Sequence, residues 1–550
     1  GTTSAESYLV FDKILDAAEK SGADAIHPGY GFLSENADFA QAVIDAGLTW
    51  IGPSPESIRD LGDKVTARHI AERAEAPMAP GTKDPVAGAD EVQSFAMEYG
   101  LPVAIKAAFG GGGRGMTVVR DAESLAEAMR VARNEARAGF GDDRVYVEKF
   151  LERPRHVEAQ VLADTHGTTV VLGTRDCSTQ RRFQKLIEEA PAPFLTDQQR
   201  TAIEEGAREI IRKANYQSAG TVEYIVSEDG TVSFLEVNTR VQVEHPITEA
   251  ITGVDIIAEQ FRIADGLPLS FVEEKGTHGG DGIDPSVSGH AFEFRINAED
   301  VTNGFAPSPG TVTRFDVPTG PGVRIDTGVR TGGQIPPYYD SLMGKLVVWG
   351  PDRETALRRA KQALSEFHIE GVRTVLPFHR DMMDEPALIG TAAPAEDAAA
   401  AGASEIGVFT DWVDHNYRPS AANQVEKVEA IYTQRRNVAV EIDGKLVNVG
   451  VPVDFLAAPG AASAGGSAST APSSAGAQST DDNAVTSPFE ANLVAWNVAD
   501  GDTVAEGDAI ATVEAMKMES AIKAPRGGTI KLLAAEGDRL DSSKVIATID

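Results

Sequence analysis

The 550-residue sequence contains a single cysteine, Cys177, and it lacks any apolar run near the roughly 18 residues that a membrane-spanning helix needs. One cysteine excludes an intramolecular disulfide and a cysteine-based metal cage. The basic start and following apolar stretch of a secretory leader are absent too. These absences favour a cytoplasmic protein that has no membrane partner.

Positive charge is also scarce. The chain has 50 lysine and arginine residues against 83 aspartate and glutamate residues, which gives a formal net charge of −33 at pH 7. This excess of negative charge opposes binding to nucleic acid. An anionic substrate therefore needs a local basic pocket. With 42% hydrophobic residues, the sequence predicts a packed chain of three or four domains.

Helical and strand-like patterns alternate along most of the chain. A helix-like segment at 7–21, a helix near Ala37 to Asp45 and short apolar runs between them are typical of a parallel α/β unit. A strand-rich middle follows. It is interrupted by a helix that begins at Thr196, with Gln199 three residues later as in a capping box. The pattern predicts a fold of mixed α/β and α+β type.

The C-terminal part contains a low-complexity segment and an internal repeat. Residues 457–484 are almost entirely Ala, Gly, Ser, Pro and Thr, which predicts a flexible tether with a root-mean-square span of roughly 30 Å. Residues 500–514 then match residues 536–550 at a constant offset of 36 positions. The repeat predicts two similar β halves with Lys517 in a hairpin between them. A lysine is ordinarily a solvated charge, but this placement indicates a carrier lysine.

Four consecutive glycines, Gly110 to Gly113, stand between Lys106 and Arg114. Such a run lets backbone N–H groups approach a polyphosphate, and the two cations add positive charge in an acidic chain. The run is not a Walker A loop, and it suits a lid that moves over a nucleotide. The alternative is a flexible hairpin tip without a ligand.

A strong turn signal, Asp229-Gly230, separates two strand-like segments. Closing a two-residue hairpin there and counting back along both strands places Glu223 opposite Glu236. Facing carboxylates repel unless a cation lies between them, and Mg²⁺ takes carboxylate oxygens together with substrate phosphates. With Asn238 on the same face, the hairpin predicts a magnesium site. The alternative is a solvated outer face.

The segment that follows, residues 238–246, is rich in groups that bind oxyanions. Arg240 and Gln242 suit a small planar oxyanion, and Glu244 is a candidate to take its proton. Alone, this segment is a polar loop before a helix. A second cationic segment, residues 175–185, is by itself more typical of a solvated surface.

Four motifs together resemble one family. They are HPGYGFLSEN at 27–36, GGGG at 110–113, FLEVNTRVQVEHP at 234–246 and EAMKM at 514–518. The chain resembles, over nearly its whole length, the alpha subunits of biotin-dependent acyl-CoA carboxylases, in which biotin carboxylase and biotin carboxyl carrier share one polypeptide. The resemblance implies an ATP-grasp biotin carboxylase with a partial N-terminal parallel α/β domain, and an all-β biotinyl domain that is a flattened barrel.

The resemblance also implies a division into six segments. They are a remnant of the biotin carboxylase N-terminal domain (1–62), the ATP-grasp region (63–262, with a glycine-lid subdomain at about 79–150), the biotin carboxylase C-terminal domain (263–420), a linker or interaction module (421–456), the tether (457–484) and the biotin carboxyl carrier domain (485–550). Relatives normally have a strand and a helix ahead of the position of Gly1. We therefore expect an incomplete N-terminal unit and a weakened first half-reaction.

Site residues are implied position by position. The nucleotide site comprises Lys64, Lys106, Glu148, Lys149, Leu151, His156 and Gln180, with the backbone of Gly111, Gly112 and Gly113 closing on the phosphates. The ligands of Mg²⁺ (or Mn²⁺) are Glu223, Glu236 and Asn238, in agreement with the hairpin count. The bicarbonate cradle comprises Lys185, Arg240, Gln242 and the backbone of Val243, with Glu244 as general base. Biotin is attached to Lys517, Arg324 stabilises its enolate, and Tyr30 lies near the same pocket.

The implied activity is an ATP-dependent ligase reaction. Bicarbonate and ATP give carboxyphosphate and ADP, and the carboxyl group then passes to biotin. The implied partners are a carboxyltransferase beta subunit and biotin protein ligase, in a hetero-oligomer that serves fatty acid metabolism. Two alternatives stay open: a biotin carrier or scaffold with an inert truncated carboxylase, and an ATP-grasp ligase of another kind.

Overall fold

A computed structural model describes residues 3–82, 84–107, 116–140, 143–273, 280–281, 284–390, 407–420, 435–442, 445–452, 483–487, 491–516, 518–540 and 544–550. The chain divides into two units, one built from 1–301 with 305–418 and the other from 302–304 with 419–550. All but the last two residues of the predicted tether lie outside the described residues.

The N-terminal part combines three helices with a small parallel sheet. The elements are Phe11–Ser21 (α1), Ala25–Ile26 (β1), Ala37–Asp45 (α2), Thr49–Trp50 (β2) and Pro55–Gly62 (α3). They enclose an apolar core that includes Phe39, Val43 and Trp50. The predicted parallel α/β pattern is confirmed here. The first helix begins at Phe11 instead of residue 7, because a short 3₁₀ helix at Ser4–Glu6 precedes it.

A three-stranded antiparallel sheet forms the next part. After Lys64–Arg73 (α4), its elements are Ala89–Tyr99 (α5), Val103–Ala107 (β3), Met116–Val119 (β4), Leu125–Phe140 (α6) and Val145–Lys149 (β5). The strand order is β4-β3-β5. Helices α5 and α6 bury their apolar side chains against these strands in a core of their own, separate from that of the large sheet.

The remaining strands of this unit are Arg155–Ala163 (β6), Thr168–Arg181 (β7), Gln184–Ala190 (β8), Ser218–Val226 (β9), Val232–Asn238 (β10), Gly280–Asp281 (β11), His290–Asn297 (β12), Glu299–Asp300 (β13), Ala306–Pro307 (β14), Gly310–Thr311 (β15), Arg314–Asp316 (β16), Val323–Thr327 (β17), Gln334–Ile335 (β18), Leu342–Gly350 (β19) and His368–Glu370 (β20). A nine-stranded sheet has the order β10-β9-β6-β7-β8-β12-β19-β17, with β11 beside β7. Among the predicted site residues, this large sheet carries His156, Gln180, Lys185, Glu223, Glu236, Asn238 and Arg324.

Helices cover the large sheet. They are Asp197–Lys213 (α7), His245–Thr252 (α8), Ile256–Ala264 (α9), Ser270–Glu273 (α10), Arg353–Glu366 (α11), Leu376–Met382 (α12), Pro386–Ile389 (α13) and Trp412–Asn416 (α14), with a 3₁₀ helix at Val301–Asn303. The capping box predicted for α7 is confirmed, because the Thr196 hydroxyl accepts from Gln199 N at 3.2 Å and the Gln199 side chain accepts from Thr196 N at 2.9 Å. Its apolar face is buried against β6 and β7.

The β9–β10 hairpin differs from the prediction at its turn. The two-residue turn would pair residue 228 with 231, but the loop has three residues and Ser227 N donates to Thr231 O at 2.9 Å. Gly230 adopts φ +85°, which closes a three-residue loop. A bulge between Phe234 and Glu236 then shifts the register back by one residue, so Glu236 does lie opposite Glu223.

From residue 419 onward, the regular elements of the second unit are all β-strands where it is described. It contains the hairpin Arg435–Ile442 (β21) and Lys445–Pro452 (β22), followed by Ala484–Thr486 (β23), Ala491–Trp496 (β24), Thr503–Val504 (β25), Ala509–Ala515 (β26), Met518–Lys523 (β27), Gly528–Leu532 (β28), Arg539–Leu540 (β29) and Val545–Ile549 (β30). The last eight strands form two sheets of four, β23-β30-β28-β25 and β27-β26-β24-β29.

These two sheets reflect the sequence repeat. Strands β26 and β30 are equivalent at the 36-residue offset, and each is an inner strand of its sheet. Gly501 and Gly537 form equivalent turns, at φ +90° and +87°. The hairpin of β26 and β27 joins the halves, and its last pair is Ala515 with Met518. Lys517 stands in the sequence between these two paired residues and is itself outside the described residues.

Candidate functional site

Side chains from β6, β8, β9 and the loop after β10 converge on one face of the large sheet. At their centre is Lys185, whose Nζ lies 2.6 Å from Glu158 Oε2 and 2.6 Å from Glu244 Oε1. The same ammonium donates to Glu223 Oε1 and to Gln242 Oε1, each at 3.1 Å. One cation thus holds together four acceptors from three segments of the chain, namely β6, β9 and the loop after β10.

Glu244 ends the loop after β10 and is almost wholly buried. Its Oε1 accepts from Lys185, and its Oε2 accepts from Arg295 Nη2 at 2.8 Å. Burial alone would raise the pKa of Glu244, but the cations of Lys185, Arg295 and Arg175 outweigh burial and hold this pKa well below its usual range. The carboxylate is therefore ionised at neutral pH, as a proton acceptor must be.

The two carboxylates of the predicted metal site have different surroundings. Glu223 is buried, accepts from Gln242 Nε2 at 2.9 Å and lies 2.9 Å from His156 Nε2. Burial would raise the pKa of Glu223, but Lys185 and His156 reverse this and lower it well below its usual value. Glu236 is paired with Lys64 at a longer distance, 3.9 Å. Burial and the facing Glu223 raise the pKa of Glu236.

The residues present fit a magnesium ion. Two facing carboxylates and the amide oxygen of Asn238 are hard oxygen donors, which Mg²⁺ and Mn²⁺ prefer. Burial, and after it the repulsion from Glu223, raise the pKa of Glu236, and a divalent cation would remove that repulsion. Asn238 lies on β10, two residues after Glu236, and its Oδ1 accepts from Arg240 Nη2 at 3.0 Å. This hydrogen bond fixes the orientation of the amide.

The predicted oxyanion residues follow each other along the loop after β10. Arg240 Nε donates to Glu35 Oε2 at 2.9 Å, so the 27–36 segment reaches this loop. Gln242 bridges Lys185 and Glu223 through its two amide atoms. The carbonyl of Val243 accepts from Lys345 Nζ at 2.6 Å. The side chains of Lys185, Gln242 and Glu244 therefore meet, whereas Arg240 lies at the rim.

Some predicted nucleotide residues lie in the three-stranded sheet. Lys106 of β3 and Glu148 of β5 form an ion pair, and Arg68 binds the other oxygen of Glu148 at 3.0 Å. Lys149 donates to the carbonyl of Leu101 at 3.3 Å. Lys106 and Arg68 share a single carboxylate and Lys149 is bonded to a neutral carbonyl, so this group of side chains keeps an excess of positive charge for an anionic ligand.

The other predicted nucleotide residues are more dispersed. His156 and Gln180 meet in the large sheet, where Gln180 Nε2 lies 3.3 Å from His156 Nδ1. Leu151 lies in the connection between β5 and β6, and Lys64 begins α4. Four predicted residues lie outside the described residues: Gly111, Gly112, Gly113 and Lys517.

Arg324 and Glu244 do not meet. Arg324, on β17, donates to Asp326 at 2.8 and 2.9 Å and to Glu249 at 3.0 Å. The guanidinium that binds Glu244 belongs instead to Arg295 on β12, which the sequence analysis missed. A signal for it was present, because Glu293 and Arg295 alternate with Phe292, Phe294 and Ile296 along β12.

Most of the cationic segment 175–185 does not lie at the surface: residues 175–180 are buried, and only 182–184, at the turn between β7 and β8, are exposed. Arg175 is fully buried and donates to Glu158, Gln160, Thr221 and Thr248. The favoured interpretation was wrong because β7 is an inner strand covered on both faces, which the local sequence does not reveal. Arg175 and Glu158 extend the cluster around Lys185.

Charged side chains continue this face across β8, β12, β19 and β17 in two adjacent register rows. The register pairs Glu188 with Glu293, Arg295 with Lys345, and Lys345 with Asp326. Burial raises the pKa of Glu188 to about 7 against the effect of Arg295. Burial also raises the pKa of Glu293 well above its usual value. The row of Arg295, Lys345 and Asp326 links Glu244, which Arg295 binds, to β17, the strand that carries Arg324.

Four family models match the chain. They are "Biotin carboxylase, N-terminal domain" at 1–58, "Carbamoyl-phosphate synthase L chain, ATP binding domain" at 63–272, "Biotin carboxylase C-terminal domain" at 293–394 and "Biotin-requiring enzyme" at 483–549. Within the described residues, no helix combines the length and the apolar character that crossing a membrane requires.

Known proteins resemble the chain at high identity. The biotin-dependent acyl-coenzyme A carboxylase alpha3 subunit of Mycobacterium leprae is 53% identical over 561 residues, which cover 100% of this chain and 90% of that protein. The biotin carboxylase of a Nostoc species is 49% identical over 383 residues, 70% of this chain and 84% of that protein. A Campylobacter jejuni biotin carboxylase in complex with beta-gamma-ATP has a TM-score of 0.62 at 40% identity, covering 75% of this chain and 86% of that one.

Another solved structure is informative about ligands. The biotin carboxylase domain of Hydrogenobacter thermophilus 2-oxoglutarate carboxylase has a TM-score of 0.60 at 41% identity, and the alignment covers 74% of this chain and 84% of that one. That domain was solved with MgADP, ADP and bicarbonate. The ATP-grasp fold and the all-β biotinyl domain implied by the motifs are confirmed.

Proposed function

Because the chain belongs to the family of biotin-dependent acyl-CoA carboxylase alpha subunits, we propose that it carboxylates biotin on its own Lys517 and supplies a separate carboxyltransferase subunit. The chain is a biotin carboxylase joined to a biotinyl domain, and it uses biotin, ATP and Mg²⁺. The observation that carries the proposal is the Lys185 cluster, which brings an ionised Glu244 beside the Glu223 and Glu236 pair.

The first step forms carboxyphosphate. Lys185, Arg240, Gln242 and the backbone of Val243 hold bicarbonate, and Glu244 accepts its proton. A bicarbonate oxygen forms a bond to the γ-phosphorus of ATP while the bond to the β–γ bridging oxygen breaks, and ADP leaves. Glu244 is a weak base because its pKa is low, so proton transfer accompanies the attack instead of preceding it.

Glu223, Glu236 and Asn238 would hold the magnesium ion that accompanies ATP. When bound, Mg²⁺ neutralises charge on the phosphate oxygens. Lys106 on β3 and Lys149 on the neighbouring β5 supply further positive charge to the phosphates in a chain that is otherwise acidic. Such a local basic pocket is what the net charge of −33 requires.

The second step uses biotin as the acceptor substrate. Carboxyphosphate releases CO₂ and phosphate, phosphate takes the proton from N1′ of biotin, and N1′ forms the new bond to CO₂. Arg324 and Tyr30 form the biotin side of the pocket, with Arg324 stabilising the negative charge that develops on the ureido oxygen. The tether then lets Lys517 reach the carboxyltransferase subunit, whose substrate is an acyl-CoA, and biotin protein ligase attaches the biotin.

The test is bicarbonate-dependent ATP cleavage with free biotin in the Glu236→Gln variant. We expect kcat/KM for MgATP to fall about 10-fold to 100-fold, with a raised requirement for Mg²⁺, because one carboxylate ligand is lost. Glu228→Gln is the matched control, since Glu228 lies on the same hairpin but pairs with Arg153 at the surface. A wild-type chain that carries biotin but cleaves no ATP would support the alternative of a carrier with an inert carboxylase.

The carboxyltransferase partner needs a separate test. A tagged wild-type chain expressed in a biotin-supplied host should co-purify with a carboxyltransferase subunit, and the complex should carboxylate an acyl-CoA. Comparing acetyl-CoA, propionyl-CoA and longer acyl-CoAs identifies the acceptor. If the complex transfers its carboxyl group to no acyl-CoA, this part of the proposal is wrong even if biotin is carboxylated.

A further inference from the structure

Lys345 is a buried lysine that neither the motifs nor the metal and bicarbonate sites account for. It lies on β19, and its side chain is only 5% exposed. Its Nζ donates to the carbonyl of Val243 at 2.6 Å, beside the general base Glu244. The same Nζ lies 5.9 Å from the centre of the Tyr30 ring and 3.9 Å from Asp326 Oδ2. Lys345 therefore touches both the bicarbonate loop and the biotin side of the pocket.

The sheet register fixes this position. Lys345 is directly opposite Arg295 on β12 and Asp326 on β17. Arg295 holds Glu244, and Asp326 holds Arg324 through two hydrogen bonds. Neighbours in one register row cannot slide past each other without breaking ladder hydrogen bonds. Lys345 is thus the middle member of a row that runs from the base to the biotin side.

The charge of Lys345 is not used in a close ion pair. Among the described residues, Asp326 at 3.9 Å is the one carboxylate within ion-pair distance of its Nζ. Glu293 lies near it but is fully buried, neither of its oxygens has a hydrogen-bond partner among the described residues, and burial raises its pKa well above the usual value. Neither oxygen of Glu293 bonds the Lys345 ammonium, so this carboxyl group does not form a close ion pair with it. Burying a cation is costly, so its strong bond to a main-chain carbonyl calls for a function.

We propose that Lys345 is a positioning residue that fixes the loop of Gln242 to Glu244 against the wall formed by Tyr30 and Asp326. This inference rests on the proposed function. The loop holds bicarbonate and the wall meets biotin, so Lys345 sets the distance that CO₂ travels to N1′. With that distance fixed, one ATP is cleaved for each biotin carboxylated. When that distance is no longer fixed, CO₂ diffuses away before N1′ captures it, and ATP is cleaved without carboxylation of biotin.

The test measures ATP cleaved per biotin carboxylated, together with KM for biotin and for ATP. In Lys345→Met we expect the ratio of ATP to product and the KM for biotin to rise about 10-fold, since small misplacements carry large rate penalties. KM for ATP should stay within about twofold, because Lys345 touches no predicted nucleotide residue. Lys345→Arg keeps a cationic donor and should restore part of the coupling. Lys361→Met, which removes an exposed lysine from an ion pair with Asp384, is the matched control and should behave like wild type.

The outcomes separate this inference from the proposed function. If wild type carboxylates biotin and Lys345→Met keeps its coupling ratio and biotin KM, the positioning role is wrong. The positioning role is also contradicted if activity falls equally with every substrate while the ratio of ATP cleaved to biotin carboxylated stays unchanged. General misfolding produces that result. Should Lys345→Met fail to fold, Tyr30→Leu is decisive: it leaves the bond to Val243 intact, and it must raise the biotin KM and the ratio. A wild type that carboxylates no biotin refutes the proposed function itself.

Discussion

Replacing Lys185 by methionine tests the cluster at the centre of the site. The change keeps the length of the side chain but removes the ammonium that contacts Glu158, Glu223, Gln242 and Glu244. Removing one partner of a buried ion pair costs about 3–5 kcal/mol. Arg175 still binds Glu158, and Arg295 still binds Glu244. We therefore expect the free energy of unfolding to fall by about 3 kcal/mol, at the lower end of that range.

The loss of unfolding free energy in Lys185→Met should depend on pH, and the pKa of Glu244 determines in which direction. In wild type the pKa of Glu244 is depressed, so its ionised form stabilises the fold above the unfolded pKa, and this stabilisation is lost as pH falls through the folded pKa. In Lys185→Met the pKa of Glu244 in the folded state rises, so the folded variant takes up a proton at a higher pH than wild type. Its free energy of unfolding therefore falls less on acidification than that of wild type. The difference in the free energy of unfolding between wild type and variant should therefore be largest at neutral pH and above, and it should narrow as the pH falls through the raised pKa of Glu244 in the folded variant.

Urea unfolding of both proteins at several pH values measures this difference. Lys213→Met, which removes an exposed lysine at the end of α7, is the control and should change stability by less than about 0.5 kcal/mol. A deficit for Lys185→Met under about 1 kcal/mol at pH 8 would refute the reasoning. A deficit that widens on acidification would refute the assignment of Glu244 as the carboxylate that Lys185 keeps ionised.

Two further predictions concern buried positions outside the site. A Cβ on Gly206 of α7 would lie 2.9 Å from both Pro77 Cδ and Tyr224 Oη. Gly206→Ala should therefore lower the free energy of unfolding, measured in urea, by about 1–3 kcal/mol. Gly62→Ala is the control and should not lower it, because a Cβ there has no neighbouring atom within 4 Å. Burial lowers the pKa of His379 to about 4, so protonation of the unfolded chain should cost wild type up to about 1.4 kcal/mol per pH unit between pH 6.5 and pH 4. His379→Gln should show a shallower loss over that range, and an identical slope would contradict the burial argument.

Local signals in the sequence identified the parts of the fold that depend on near neighbours. Three predicted features depend on residues close in sequence or on a repeat with a constant offset: the capping box of Thr196, the pairing of Glu223 with Glu236 and the two-sheet repeat around Lys517. Even so, the hairpin count succeeded because two deviations of one residue, the longer loop and the bulge, cancel. A sequence pattern does not show a bulge, because the bulge depends on how the strand curves over its neighbours.

The residues that were missed depend on distant pairing. Arg295 reaches Glu244 because β12 lies between β8 and β19, strands that are far from it in sequence. Arg175 appeared to belong to a surface run, since nothing local indicates that β7 is covered on both faces. Lys345 acts across strands in the same way. Buried charges of this kind are specified by topology, whereas motifs identify only the residues that stand in a continuous segment.

The central claim is that this chain uses ATP and bicarbonate to carboxylate the biotin on its own Lys517. The most direct measurement is the transfer of radiolabelled bicarbonate to the purified, biotinylated chain, followed by trapping of the labelled protein. We predict label on the Lys517 peptide that requires both ATP and Mg²⁺, that is lost in Lys517→Arg, and that is strongly reduced in Glu236→Gln. Biotinylated wild-type chain that acquires no ATP-dependent label would contradict the account.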